Sequence, residues 1–274
     1  MDEPDLSSAL AFALELADTV AAITMSGFGG RLDVRIKADR TPVTESDMRA
    51  ERAIREAIAA TFPDDDVLGE EDGRTGPDRN GRVWIVDPID GTKNFAAGVP
   101  MWSTAIALAV DGTPALGVVD VPAWGRRYHG VRGGGSWMNG RSIAVSEVDV
   151  LADAFVLPSP LEEWIEGGGP DPLEGGAPDL DALLRVVRGC KRTRGLTDAI
   201  GHLLVADGSA EVLMEHEPCG TWDWAACMVI VEEAGGRMTT LEGAPPSHGC
   251  DLLVSNGHLH DAVLELLRGD PGHV

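Results

Sequence analysis

Trp84-Ile85-Val86-Asp87-Pro88-Ile89-Asp90-Gly91-Thr92 decides the reading of this chain. The apolar run Val83 to Val86 predicts a buried strand, and Pro88, which cannot donate to a ladder, ends it. Asp87 and Asp90, three apart across a turn, can point into one space. There Asp90 could bridge two ions and the Ile89 carbonyl could add an oxygen ligand, because hard divalent cations such as magnesium take oxygen donors. Gly91 leaves the backbone N–H groups uncovered, and Thr92 adds a hydroxyl. A helix starting at Gly91-Thr92 would cradle a phosphate at its N-terminus. Alone, the same string also reads as an Asx-type turn with no ligand.

Three further acidic places flank it. Glu70 follows a short strand at Val67 to Gly69, and its neighbours Glu71 and Asp72 read as solvated. Asp47 stands in the first turn of a helix that Thr44 caps, predicted to run to about Ala60 and stop near Pro63. Asp223 stands in the first turn of a helix from Trp222 to Ala234, closed by Gly235-Gly236. Asp47 and Asp223 taken singly also fit ordinary helix-start acids, which the helix dipole favours.

Beyond these, apolar spacing predicts a helix over Leu6 to Met25 and strands at Val34 to Lys37, within Ser103 to Arg132, and at Leu252 to Ser255. Helices are predicted over Leu196 to Ala206 and His258 to Leu267, with His202 as a core histidine. Pro158 to Asp181, rich in Gly, Pro and acids, reads as a long loop. The irregular alternation of strands and helices predicts a layered, mixed α/β protein. A division near residue 150 separates residues 1–150, carrying most of the acidic candidates, from 151–274, carrying Asp223 and the substrate contacts.

With 45 acidic and 22 basic residues the formal net charge is −23, which argues against nucleic acid as a partner. An acidic protein that handles phosphate needs local cations, which bound metal ions would supply. No apolar run approaches the ~20 residues of a membrane span, and the acidic start lacks a secretory pattern, so a cytoplasmic protein without membrane partners is expected. Cys190, Cys219, Cys227 and Cys250 form no CxxC pair and are expected to be reduced.

The acidic stretches, with Asn94-Phe95, Trp222-Asp223-Trp224-Ala225-Ala226 and Glu233-Ala234-Gly235-Gly236, resemble the inositol monophosphatase superfamily. Lys37-Ala38-Asp39 and Pro42-Val43-Thr44-Glu45-Ser46-Asp47 match its Thr-x-x-Asp helix start, and the likeness runs from about residue 10 to 267. Lys93 and Arg194-Gly195-Leu196-Thr197-Asp198 look closest to the histidinol-phosphatase branch. The resemblance implies an α/β/α/β/α sandwich, usually a homodimer, and two or three magnesium ions held by Glu70, Asp87, Asp90, Asp223 and the Ile89 carbonyl. Thr92 and Asp47 would orient the attacking water together with Glu70, while the Gly91 and Thr92 amides receive the phosphate of a small metabolite. Asp90, Asp223, Asp198 and Glu217 are the further expected substrate contacts. Where the family commonly places a substrate acid, seven residues before Asp223, this chain has His216, flanked by Glu215 and Glu217.

The implied activity is magnesium-dependent hydrolysis of a phosphomonoester, with L-histidinol phosphate as the first substrate candidate. Inositol monophosphate, adenosine 3′,5′-bisphosphate and fructose 1,6-bisphosphate are the alternatives, and a non-catalytic regulatory binding protein ranks below them.

Overall fold

A computed structural model of the chain describes residues 6–30, 34–36, 42–166, 180–196 and 198–269. The stretch 37–41, most of the expected loop after Pro158, and the Glu217 side chain lie outside the described part. By their contacts the residues form two units: Met1–Arg141 with Trp222–Ile230, and Ser142–Thr221 with Val231–Val274. The units therefore do not follow chain order, and Asp223 belongs to the first.

The first unit is built on helices α1 (Leu6–Gly27) and α2 (Glu45–Thr61), the small hairpin of β1 (Val34–Ile36) and β2 (Pro42–Thr44), and a large sheet. The sheet contains β3 (Asp66–Gly69), β4 (Gly73–Thr75) and β5 (Arg82–Asp90), followed by the short helix α3 (Thr92–Ala96). It continues with β6 (Ser103–Val110), β7 (Thr113–Val121), β8 (Arg126–Val131), β9 (Gly135–Met138) and β10 (Arg141–Ile143). The strand order is β10-β9-β8-β7-β6-β5-β3-β4. β3 and β5 pair in parallel; β3 with β4, and the neighbours from β5 through β9, pair antiparallel.

Alternation along the strands sorts the two faces of this sheet. Trp84 and Val86 of β5, Ile106 and Leu108 of β6, and Leu116 and Val118 of β7 pack with α1 and α2. The contributing helix residues recur at helical spacing: Ala9, Ala13, Leu16, Ala17 and Val20 on α1, and Ala50, Ile54 and Ile58 on α2. Ile85 and Asp87, one step out of phase, face the other side.

α1 is 22 residues long, and an 18-residue window within it reaches a mean hydropathy of 1.6, long and apolar enough by length and composition to cross a membrane. Its apolar stripe is instead spent on the sheet. Glu15 and Asp18 lie exposed on its outer face, and Asp18 pairs with Arg127 of β8 at 2.7 Å. Helices that fill cores meet the same length and composition test as spans.

The second unit carries β11 (Phe155–Pro158), α4 (Leu161–Glu166), α5 (Leu180–Gly189), β12 (Arg192–Thr193), α6 (Asp198–Ala206) and β13 (Val212–Cys219). After α7 (Thr221–Glu233), which begins with its last residue and ends in it, come β14 (Arg237–Thr239), β15 (Cys250–Ser255) and α8 (His260–Arg268). Its five-stranded sheet has the order β12-β11-β13-β15-β14. Val156, Val212, Met214 and Leu253 join Trp164, Leu183, Val186, Val263 and Leu264 of α4, α5 and α8 in one core. Leu213 points the other way and meets Gly201 of α6.

Sequence reasoning left β11, β13, β14 and α5 unassigned. The three strands are short or lack a clear alternation, and burial in the sheet decides them, whereas α5 carries a helical apolar pattern at Leu180, Leu183, Leu184 and Val187 that was the available signal.

His260, at the start of α8, is fully buried between Ser255 and Thr239. Its Nδ1 lies 2.8 Å from Ser255 Oγ and its Nε2 2.9 Å from Thr239 Oγ1. The Thr239 hydroxyl already donates to the Thr240 carbonyl, so it accepts from Nε2–H, which in the neutral ring leaves Nδ1 to accept from the Ser255 hydroxyl. Burial, helped by Arg237, lowers its pKa to about 4. The unfolded chain protonates this ring near 6.5 and the folded one only near 4, so stability is complete above the first value and falls as pH drops between them. Roughly 2 kcal/mol should be lost between pH 7 and pH 5. Denaturant melts at the two pH values, compared with those of His260→Asn, check this: the variant should lack that share of the pH dependence.

Candidate active site

The pairing of β5 with β6 shows how one strand presents two carboxylates to one space. Asp87 pairs with Ala105 and Asp90 with Ser103, so Pro88 and Ile89 stand opposite the single residue Thr104. In a regular strand, residues three apart face opposite sides; the extra residue of this bulge turns Asp90 back to the side of Asp87. Pro88, with no N–H to offer, sits in the bulge, and its carbonyl accepts from Thr104 Oγ1 at 2.8 Å. Asp87 Oδ1 accepts the Ile89 N–H at 2.9 Å, and Asp90 Oδ2 accepts from Ser103 Oγ at 3.0 Å. The Ile89 side chain anchors the turn against Phe95 and Trp102.

Asp223, in the first turn of α7, completes the cluster. One carboxylate oxygen from each of Asp87, Asp90 and Asp223 lies within 4.8 Å of the other two. The way α7 is seated explains this. Ala107, Gly117, Gly130 and Ser136 are register partners across β6, β7, β8 and β9 and form a row of small residues. A Cβ on Gly117 would fall on the carbonyl of Ala226, and one on Gly130 would lie 3.0 Å from Ile230 Cα. Ser136 Oγ also donates to the Ile230 carbonyl at 2.5 Å. The backbone of α7 therefore rests directly on the sheet face that carries Asp87.

Asp47 and Thr92 lie in hydrogen-bond contact. Thr44 caps α2, and the Asp47 carboxylate accepts both its N–H, at 2.9 Å, and its hydroxyl. Thr92 Oγ1 lies 3.3 Å from Asp47 Oδ1 and 2.9 Å from the Ile89 carbonyl. Gly91 holds φ at +82°, a left-handed conformation that costs a glycine little. The helix after it, α3, is only five residues long.

Glu70 follows β3 and is half-buried; it stands outside the tight group of three but acts on it electrostatically. Its loop is held by a residue that sequence reasoning passed over. Glu51 of α2, fully buried, accepts the N–H groups of Glu71 and Asp72 at 2.9 and 3.0 Å. Arg55, one helical turn on, pairs with it at 2.7 Å, and a Cβ at Gly69 would fall on its carboxylate. The i,i+4 spacing of Glu51 and Arg55 was the available signal. Glu51→Ala should lower metal affinity by about 10- to 100-fold, as loss of a group that orients ligands typically does. Titration of activity or of tryptophan fluorescence with the cation reads this directly.

Burial raises the pKa of Asp87 well above the carboxylate range, and the charges of Glu70, Asp90, Asp223 and Asp47 raise it further. Burial also raises that of Asp47, against the pull of the Thr44 and Thr92 hydrogen bonds. Buried carboxylates that repel one another, all offering oxygen, are the donor set a hard divalent cation fits.

In the second unit β13 bulges. Glu215 pairs with Leu252 and Cys219 with Cys250, so residues 216–218 stand opposite residue 251 alone. Counting seven residues back from Asp223 therefore lands on His216, which packs edge-on to Trp164 with ring centroids 4.7 Å apart. The acid turned inward is Glu215. It accepts the Asp198 N–H at 2.9 Å and lies 2.9 Å from Nε2 of the buried His202. Asp198 starts α6 with φ at +57°. No sequence signal singled out Glu215; the bulge places it.

The sequence profile described as the Inositol monophosphatase family matches residues 5–269. A histidinol-phosphatase of Streptomyces coelicolor is 41% identical, with 97% of this chain and 98% of that protein aligned. One from Mycobacterium tuberculosis is 40% identical over 94% and 97%. The structure of an IMPase from Thermotoga maritima superimposes with a TM-score of 0.82 at 29% identity, covering 96% of this chain and 98% of that one. The mixed α/β fold is thus that of the inositol monophosphatases. The chain belongs to the inositol monophosphatase family, whose enzymes are metal-dependent, and it is a phosphoric monoester hydrolase.

Proposed function

We propose that the chain hydrolyses L-histidinol phosphate to L-histidinol, using two or three magnesium ions held by Glu70, Asp87, Asp90, Asp223 and the Ile89 carbonyl. The observation that carries this reading is the Asp87–Asp90–Asp223 cluster beside the Thr92–Asp47 contact, in a chain about two-fifths identical to two histidinol-phosphatases. Bound magnesium would polarise the phosphoryl oxygens and make a bound water acidic enough to attack at neutral pH.

The chain's own groups do the positioning. Thr92 Oγ1, held between the Ile89 carbonyl and Asp47, orients the attacking water with Glu70. The raised affinity of Asp47 for protons suits it to receive one as the water attacks. The Gly91 and Thr92 amides take phosphate oxygens, since a glycine at Gly91 leaves its backbone uncovered. No covalent nucleophile is needed, because phosphoryl transfer depends mainly on positioning and charge neutralisation. The ammonium group of histidinol calls for an acid, and Asp198 and Glu217 are the sequence-based candidates. A cytoplasmic homodimer goes with this reading.

The test is phosphate release, with magnesium, from histidinol phosphate, inositol monophosphate, fructose 1,6-bisphosphate and adenosine 3′,5′-bisphosphate. Histidinol phosphate should give the highest kcat/KM, and a chelator should abolish the activity. A preference for any of the other three would overturn the substrate.

A further inference from the structure

None of the four cysteines is in a disulfide, yet two of them share a position in the fold. Cys219, the last residue of β13, and Cys250, the first of β15, are direct register partners in antiparallel strands. Residues so paired point to the same face, with Cα atoms about 4.5–5.5 Å apart, inside the range a disulfide spans. Glu215 marks that shared face. Cys219 Sγ lies 3.8 Å from Glu215 Oε2, and the charge of the same carboxylate is felt at Cys250, whose thiol is pushed up mainly by burial. Cys219 is buried, whereas Cys250 is half-exposed and its Sγ accepts the Ser247 N–H at 3.4 Å.

We propose that Cys219 and Cys250 are a disulfide-forming pair, oxidised reversibly by small-molecule disulfides. Cys250, the accessible thiol, attacks the small disulfide as its thiolate and releases one small thiol. Cys219 then displaces the second and closes the protein disulfide. The protein thiols give up two electrons and two protons, and the oxidant becomes two thiols, so the exchange balances. A bridge between directly opposed strands is geometrically tight, and such bonds are the readily reduced ones. Its place gives it leverage: only Gly220, Thr221 and Trp222 separate Cys219 from Asp223. The link would also close the bulge at residues 216–218 against its partner strand.

The test needs no substrate. The reduced full-length chain is incubated with oxidised glutathione, remaining thiols are alkylated, and peptides are mapped by mass spectrometry with and without later reduction. The expected product is one cross-linked pair, Cys219 with Cys250, lighter by two hydrogens and reversed by dithiothreitol, while Cys190 and Cys227 are alkylated. Hydrogen exchange over residues 216–221 should slow in the oxidised chain, and Cys250→Ser should show neither change. Free Cys219 and Cys250 after oxidation, a bond through Cys190 or Cys227, or unchanged exchange in a cross-linked chain would overturn the proposal.

Discussion

Asp90→Asn should lower kcat/KM for phosphate release by about three orders of magnitude, the equivalent of roughly 4 kcal/mol of transition-state stabilisation. The substitution removes one negative charge and leaves the shape almost unchanged. Its side-chain carbonyl can still accept from Ser103 Oγ, the bond that holds Asp90 at 3.0 Å. Asp87, whose pKa is raised in part by the charge of Asp90, gains rather than loses in the metal-free chain. Thermal unfolding without metal should therefore be unchanged or shifted upward, while turnover falls even with excess cation. Activity within tenfold of the unmodified chain would remove Asp90 from the ligand set.

Gly117→Ala should strongly destabilise the first unit. Its Cβ would fall on the Ala226 carbonyl and lie 2.9 Å from that residue's carbonyl carbon and Cα. Backbone in a seated helix cannot rotate away as a side chain can, so α7 must lift from the sheet. Overpacking of this kind costs about 3 kcal/mol or more, which for a chain of this size lowers Tm by roughly 10 °C. Because Asp223 rides on α7, activity should fall by about 100-fold even at temperatures where the variant is folded, since small displacements of a catalytic group are that costly. Gly133→Ala is the control: its φ is +72°, but nothing lies within 4 Å of the added Cβ. That change should cost only about 1 kcal/mol of backbone strain and leave turnover alone. Equal melting temperatures for the two variants would show that α7 is not seated on the glycine row.

How much of this was legible beforehand differs residue by residue. The Thr44 cap with Asp47 three residues later is local chemistry, completed within one helical turn, and it folded as read. The strand-to-turn passage at Asp87-Pro88-Ile89-Asp90 also carries its own instructions, because proline and the carboxylates constrain the backbone where they stand. Glu51 escaped notice because its importance lies in the N–H groups it accepts twenty residues later in the chain. Glu215 escaped because a bulge breaks the correspondence between spacing and position.

The amino-acid sequence by itself determined the family and the reaction class and singled out the carboxylates proposed for the site, since their identities and local turns are encoded within a few residues of each. Tertiary structure decided that these groups converge. The order of the apolar runs does not reveal that Ala107, Gly117, Gly130 and Ser136 align across four strands. Strand register does, and it depends on burying one face of the sheet under α1 and α2. Once that face is buried, the small residues necessarily lie on the other, α7 can approach to backbone contact, and Asp223 arrives beside Asp87 and Asp90.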